Sequence, residues 1–96
     1  MGINEVLLPR RTAILALASR YGAEHVRVFG SVARGDATDE SDVDFVVRMS
    51  SGRGLFDLIG FKLDVAELLG RKVDVISERG ISPYLRDDIL RTAVPI

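Results

Sequence analysis

The segment Phe29-Gly30-Ser31-Val32-Ala33-Arg34-Gly35 joins a predicted strand to a predicted helical turn. The strand is Val26–Phe29, which is rich in the β-branched and aromatic residues that strands favour and which stops at Gly30. The residues Ser31–Arg34 are enough for one helical turn, and Gly35 ends it. The segment therefore indicates a domain that combines strands with helices.

The same rules predict five more elements on either side of this segment. Polar and apolar residues alternate in the strands, and apolar residues recur at helical spacing in the helices. The predicted elements are the helix Arg10–Tyr21, the strand Asp42–Met49, the helix Leu55–Leu69, the strand Lys72–Ser77 and the helix Pro83–Ala93. The order α-β-α-β-α-β-α predicts an α/β (α+β) fold, a small mixed sheet of about three strands with helices packed on it.

Two of the helices have predicted inner faces. In Leu55–Leu69 we expect an apolar stripe to face the core, and its members are Leu55, Ile59, Leu63 and Ala66. Phe56 and Phe61 lie off this stripe, so they belong either to the core or to an exposed apolar patch that would contact a partner. In Pro83–Ala93 the expected inward residues are Leu85, Ile89 and Leu90.

The composition limits the classes to which the chain can belong. Its 96 residues are 47% hydrophobic and 28% charged, which predicts a single globular domain over residues 1–96. Thirteen Lys and Arg against fourteen Asp and Glu lack the excess of a basic protein, so we expect no direct nucleic-acid binding. The absence of Cys and the single His exclude a disulfide scaffold and a multi-His zinc site. Because no apolar run approaches ~20 residues, we expect a soluble cytoplasmic protein without membrane contact.

Acidic residues in two of the predicted strands do not fit a structural role. Asp42 and Asp44 are two residues apart, so they point to the same side of their strand, although Asp is depleted in strands. Two carboxylates held so close repel each other unless a cation lies between them. Carboxylate and phosphate oxygens are the ligands that Mg²⁺ prefers. The alternative is a pair of edge-strand acids that face water and pair with Arg34 or Arg48.

A third acid, Asp74, is flanked by Val73 and Val75 in another predicted strand. If this strand pairs beside Asp42–Met49, Asp74 completes a cluster of three carboxylates. Such a cluster could hold two metal ions ~3.5–4 Å apart, an arrangement that serves in-line phosphoryl displacement.

Gly30 and Ser31 have the features of a phosphate site. They follow a strand and open a helical turn, where glycine lets the backbone approach an anion and the serine hydroxyl can donate to it. The alternative is that Ser31 simply caps the helical turn. A P-loop is excluded, because Asp36-Ala37 stands where Lys-Ser/Thr is required after Gly35.

These residues together resemble a known family. Gly30-Ser31, ten residues and Asp42-Val43-Asp44 match the G-S-x10-D-x-D pattern of the polymerase-β-like nucleotidyltransferase superfamily. The flanking residues look most like the minimal nucleotidyltransferases, which are the MntA-type antitoxins of bacteria and archaea. The resemblance continues through Leu68–Val75 and Arg86–Ile96, so it covers nearly the whole chain. It implies a polymerase-β-like nucleotidyltransferase core.

The resemblance also implies roles for individual residues. The nucleotide triphosphate of ATP would be held by Gly30 and Ser31, with Arg34 touching phosphate. The implied metal ligands, which are also the implied catalytic residues of a two-metal Mg²⁺ site, are Asp42, Asp44 and Asp74. Asp74 would in addition help to activate the acceptor hydroxyl.

For function, the resemblance implies a type VII-like toxin–antitoxin pair. The chain would transfer AMP from ATP to a tyrosine hydroxyl of a HEPN-domain RNase toxin, silence that toxin, and form a hetero-oligomer with it. Two alternatives remain open from the sequence. One is an antitoxin that acts by binding alone, and the other is a nucleotidyltransferase with a small-molecule or RNA acceptor.

Overall fold

A computed structural model describes residues 1–96, in which a four-stranded sheet carries packed helices. The helices are α1 Ile3–Val6, α2 Arg11–Tyr21, α3 Gly30–Arg34, α4 Leu55–Leu69 and α5 Pro83–Thr92. The strands are β1 Ala23–Phe29, β2 Val43–Met49, β3 Val73–Ser77 and β4 Val94–Pro95, and short 3₁₀ turns cover Leu8–Arg10 and Glu78–Gly80. No helix is both long enough and apolar enough to span a bilayer.

The sheet has the order β3-β2-β1-β4 and is mixed. β1 pairs antiparallel with both β2 and β4, whereas β2 and β3 run parallel. The parallel pair is connected through α4, as a parallel pair requires a crossover. The C-terminal end of β1 therefore lies at the same edge of the sheet as the N-terminal ends of β2 and β3.

The predicted fold class is confirmed, and three details of the prediction change. The sheet has four strands rather than about three, because Val94–Pro95 pairs with β1 at Arg27 and Val28. The short helix α1 was not predicted. β1 begins at Ala23, three residues earlier than predicted, while the other predicted elements shift by at most one residue at an end.

The core lies between the sheet and helices α2 and α4. Val28 of β1 and Phe45 and Val47 of β2 are fully buried there. Phe45 meets Phe61 of α4 edge-on, with ring centroids 6.4 Å apart. Ile14 of α2 is also fully buried.

The predicted inner face of α4 is wrong except at Ala66, which is half-buried against the core. Leu55 and Leu63 are 67% and 61% exposed, and the fully buried residues are Phe61 and Val65. Ten of the fifteen residues of α4 are apolar, so the pattern does not define a single face. The packing of α2 selects the face, because the Tyr21 ring lies so close to Gly60 that a Cβ there would be 2.5 Å from Tyr21 Cε1.

The predicted inward residues of α5 are also wrong in part. Ile89 and Leu90 are half-buried, but Leu85 is 56% exposed, and the helix has no fully buried residue. α5 is therefore an outer element whose apolar side chains are only partly covered by the rest of the chain.

Candidate active site

The end of β1 and the starts of β2 and β3 bring the predicted site residues to one edge of the sheet. Phe29 is the cross-strand partner of Asp44, and Asp44 is the partner of Asp74. Gly30 follows Phe29 directly, and Asp42 directly precedes β2. The third strand pairs beside the second, which is the condition for Asp74 to join the cluster, and Asp44 lies in the middle of the group.

Gly30 is fixed in this place by two separate constraints. Its φ of +75° lies in the left-handed region, which side chains with a Cβ rarely adopt. A Cβ on Gly30 would also lie 2.5 Å from Oδ2 of Asp44. The backbone of α3 thus comes as close to the Asp44 carboxylate as it can, and only glycine permits the approach.

The Asp44 carboxyl is held in surroundings that disfavour its charge. Burial raises its pKa above the ordinary value, the charges of Asp74 and Asp42 raise it further, and Arg34 opposes the shift. An acid with a raised pKa beside two other acids attracts a cation, because a positive ion offsets both the burial and the repulsion.

The predicted ion-pair alternative is not found. Arg34 Nε lies 3.4 Å from Asp36 Oδ2, in an exposed pair, and Arg48 is at the other end of β2. The only cation paired with the three acids is Lys72, whose Nζ is 3.9 Å from Asp42 Oδ2 and whose side chain is 83% exposed. No motif in the sequence indicates a role for Lys72. Such an exposed pair contributes little stability.

The second alternative, capping by Ser31, is also not found. The N-terminal cap position of α3 is Phe29, and no side chain caps the helix. The Ser31 carbonyl accepts hydrogen bonds from the backbone N–H groups of Gly35 and Asp36, at 3.0 Å and 3.1 Å. The Ser31 hydroxyl takes part in none of the side-chain hydrogen bonds inside the chain, so it is free to donate to a ligand.

The carboxylates fit Mg²⁺ in chemistry without forming a complete cage. Their oxygens are hard donors on adjacent strands, but no three acidic side chains converge tightly enough to hold an ion by themselves. Magnesium in nucleotide enzymes is commonly bound by one or two carboxylates together with substrate phosphates and water. The arrangement therefore suits an ion that arrives with a phosphate-bearing substrate.

Comparison with known proteins decides the family. The family model of the nucleotidyltransferase domain matches residues 10–96, which include the whole carboxylate edge. A predicted protein adenylyltransferase of Methanocaldococcus jannaschii is 35% identical over 96 residues, which are 100% of this chain and 99% of the relative. The chain belongs to the nucleotidyltransferase domain family. It is a nucleotidyltransferase.

Other relatives of this nucleotidyltransferase agree. The protein adenylyltransferase MntA of Thermococcus cleftensis is 32% identical over 78 residues, 81% of this chain and 79% of the relative. A solved structure of a predicted minimal nucleotidyltransferase is 50% identical, with a TM-score of 0.88 and coverage of 100% and 97% of the two chains. A toxin–antitoxin complex solved with AMP-PNP shares the fold at 20% identity and a TM-score of 0.75, over 88% of this chain and 69% of that chain.

A separate cavity of about 530 Å³ lies at the opposite edge of the sheet, where β2 and β3 end. We name it the arginine cleft, after four of its lining residues, Arg48, Arg53, Arg79 and Arg86. Glu78 is the only acid that lines it, and the loop at residues 50–54 forms one wall. No spacing in the sequence indicates this cleft, because its arginines come from four separate segments of the chain.

Proposed function

We propose that this nucleotidyltransferase transfers AMP from ATP to a tyrosine hydroxyl of a partner toxin, a HEPN-domain RNase, and so acts as its antitoxin. The observation that carries the proposal is the continuous register from Phe29-Gly30 through Asp44 to Asp74. In this register Gly30, which allows the backbone to approach an anion closely, lies beside the carboxylates of Asp44 and Asp74 at one edge of the sheet. A triphosphate needs the first feature and its cation needs the second. Two observations support the choice of a protein acceptor. The chain is similar to protein adenylyltransferases, and it shares its fold with a toxin–antitoxin complex.

In this proposal the nucleotide is held from the α3 side. The Ser31 hydroxyl donates to a phosphate oxygen, and the lack of a side chain at Gly30 lets the start of α3 lie directly against the Asp44 carboxylate. Arg34 is exposed and held only by its weak pair with Asp36, so its guanidinium can turn to a phosphate.

Asp42, Asp44 and Asp74 would hold Mg²⁺, which when bound supplies positive charge that offsets the charge of the triphosphate. Asp74 is exposed, so it is accessible to an acceptor from outside the chain. The tyrosine oxygen of the toxin attacks the α-phosphorus, its proton passes to the Asp74 carboxylate, and the bond from the α-phosphorus to pyrophosphate breaks. The products are the adenylylated tyrosine and pyrophosphate.

Intact-mass spectrometry of the toxin tests this function. The protein encoded by the adjacent gene is co-expressed with the wild-type chain, with Asp44→Asn, and with Asp39→Asn as a matched control on an exposed acid outside the cluster. We expect whole adenylyl increments with the wild type and Asp39→Asn. We expect a loss of at least about a hundredfold with Asp44→Asn, because the cation loses a charged ligand.

Three outcomes contradict the proposal in different ways. If Asp44→Asn transfers AMP at the wild-type rate, the carboxylates do not serve the reaction. If the toxin stays unmodified yet is neutralised by the wild-type chain, the antitoxin acts by binding alone. Transfer by the wild type to RNA or to a small molecule instead of the toxin would assign a different acceptor.

A further inference from the structure

We propose that the arginine cleft and the outer face of α4 form one docking surface for an acidic amphipathic helix of a partner protein. The outer face is defined by the exposed apolar residues Leu55, Phe56, Ile59 and Leu63. Leu55 belongs to both parts, since it also lines the cleft. The inference relies on the proposed function only in taking the toxin as the partner.

The cleft carries positive charge that the chain itself does not neutralise. Arg48 and Arg79 are exposed and make no ion pair within the chain, and Arg86 donates only to the backbone carbonyl of Glu78, at 2.7 Å. The one lining acid, Glu78, is already paired with Arg27, which lies outside the lining. Carboxylates of a partner are therefore the groups that complement this cleft.

Arg53 contributes less than the other three arginines of the cleft. Its Nη1 lies 3.1 Å from Asp57 Oδ1, and Asp57 also accepts the backbone N–H of Gly54 at the start of α4. The charge offered to a partner thus comes chiefly from the arginines at the ends of β2 and β3 and at the start of α5.

The apolar part continues the cleft along the outside of α4. Phe56 is 90% exposed, and Leu55, Ile59 and Leu63 repeat every four residues, as a stripe along one side of a helix does. From Leu55 to Leu63 the stripe is roughly 12 Å long, which equals about two turns of a helix laid beside it. A partner helix with an apolar face and acids at one end would cover the stripe and reach the cleft.

The same features argue against nucleic acid as the occupant. Aliphatic side chains such as Leu55, Ile59 and Leu63 give no favourable contact to phosphates, and the chain as a whole has a net charge of −1.

The docking surface also leaves the carboxylates of the candidate active site uncovered. Arg48 follows Asp44 by four residues of β2, so the cleft is roughly 13 Å from the site. A docked partner could then present a hydroxyl to the carboxylates without covering them.

Titration of the adjacent-gene protein against variants of the full chain tests the surface. The charge variant is Arg48→Ser with Arg79→Ser, and its control is Arg10→Ser with Arg91→Ser, which removes the same charge outside the cleft. The apolar variant is Phe56→Ser with Leu63→Ser, and its control is the exposed Leu8→Ser. All changed residues are exposed, and circular dichroism and thermal unfolding check that each variant folds.

We expect the dissociation constant to rise about tenfold or more in each surface variant and less than about twofold in each control. Added salt should weaken the wild-type complex more than that of the arginine variant. Unchanged binding in both surface variants overturns the inference, even if AMP transfer proceeds. Loss of binding in those variants upholds it, even if the wild type transfers no AMP and the proposed function fails.

Two further outcomes would assign the surface to another occupant and so overturn the inference. One is a dimer of the chain in light scattering that dissociates on Phe56→Ser with Leu63→Ser while toxin binding is unchanged. The other is binding of single-stranded RNA that is lost on Arg48→Ser with Arg79→Ser while toxin binding is unchanged.

Discussion

The two ends of β2 carry opposite charge, and the pKa values of the carboxyl groups at these ends shift in opposite directions. At the start of the strand, burial and the neighbouring acids raise the pKa of Asp44. Beyond its end, the hydrogen bond from Arg27 lowers the pKa of Glu78, and Arg48 and Arg86 lower it further. The chain therefore neutralises Glu78 at the arginine end, whereas at the other end Asp44 and Asp74 have no ion pair and Asp42 pairs only with the exposed Lys72. An uncompensated cluster is a cost to folding, which is expected where a ligand supplies the missing charge.

The substitution Gly30→Ala is expected to have the largest effect at the acidic end of β2, where Asp42, Asp44 and Asp74 lie. It introduces a Cβ at a φ of +75° and 2.5 Å from Asp44 Oδ2, so it combines backbone strain with a clash at a carboxylate. We expect the free energy of unfolding to fall by about 3 kcal/mol and AMP transfer to be lost. Denaturant unfolding followed by circular dichroism measures the first effect.

Gly52, at the arginine end, is the matched control for this substitution. It has a φ of +83°, but a Cβ added there would meet no atom within 4 Å, so Gly52→Ala adds strain without a clash. Its expected cost is about 1 kcal/mol. Equal losses for the two alanine variants would show that the contact with Asp44 is unimportant to the fold.

The substitution Glu78→Gln removes the carboxylate that pairs with Arg27 beyond the C-terminal end of β2. Arg27 and Glu78 have side chains only 17% and 22% exposed, so the lost charge leaves a half-buried guanidinium with a weaker partner. We expect a loss of about 1–2 kcal/mol at neutral pH.

The pH dependence of this loss has a definite sign. Because the folded-state pKa of Glu78 lies below its ordinary value of 4.5, its stabilisation is present above that pH and is lost as the pH falls through the folded-state pKa. The wild type and Glu78→Gln should therefore converge in strongly acidic buffer. A difference that persists there would assign the effect to packing rather than charge.

The acidic end was accessible to sequence analysis because its signal is local. Asp42 and Asp44 alternate within one strand, Asp74 interrupts another, and Gly30-Ser31 follows a third. Only the pairing of the strands had to be assumed, and the structure pairs Asp44 with Asp74. Lys72 was missed, since a lysine at a strand end is ordinary in any sequence.

The arginine end was not accessible in the same way. Its residues come from the end of β2, a loop, a 3₁₀ turn and α5, and no spacing in the sequence links them. The predicted orientation of α4 was wrong because both of its faces are apolar, and contacts distant in sequence, such as Tyr21 with Gly60 and Phe45 with Phe61, decide between them. β4 is two residues long, and its pairing with β1 depends on a contact distant in sequence.

Binding of Mg²⁺ with a nucleotide distinguishes the two ends of β2 without any measurement of activity. A ligand that binds only the folded state stabilises it, by about 1.4 kcal/mol when its concentration is ten times the dissociation constant. We expect Mg²⁺ with a non-hydrolysable ATP analogue to raise the melting temperature of the wild type by about 7 °C. Asp44→Asn should show a much smaller shift, and Glu78→Gln should respond as the wild type does. An equal shift in Asp44→Asn would place the cation elsewhere.

The smallest expected effect is the stability of Asp44→Asn without ligand, and its sign is opposite to that of Glu78→Gln. The folded-state pKa of Asp44 lies above its ordinary value of 3.8, so its contribution is fully present below that pH and is lost as the pH rises through the folded-state pKa. At neutral pH the charged Asp44 therefore destabilises the fold. Asparagine removes that charge, and we expect a gain of about 0.5 kcal/mol that disappears in acid, whereas Asp39→Asn should show none. A loss of stability at neutral pH would mean that the Asp44 carboxylate is compensated within the chain, and the contrast between the two ends of β2 would then fail.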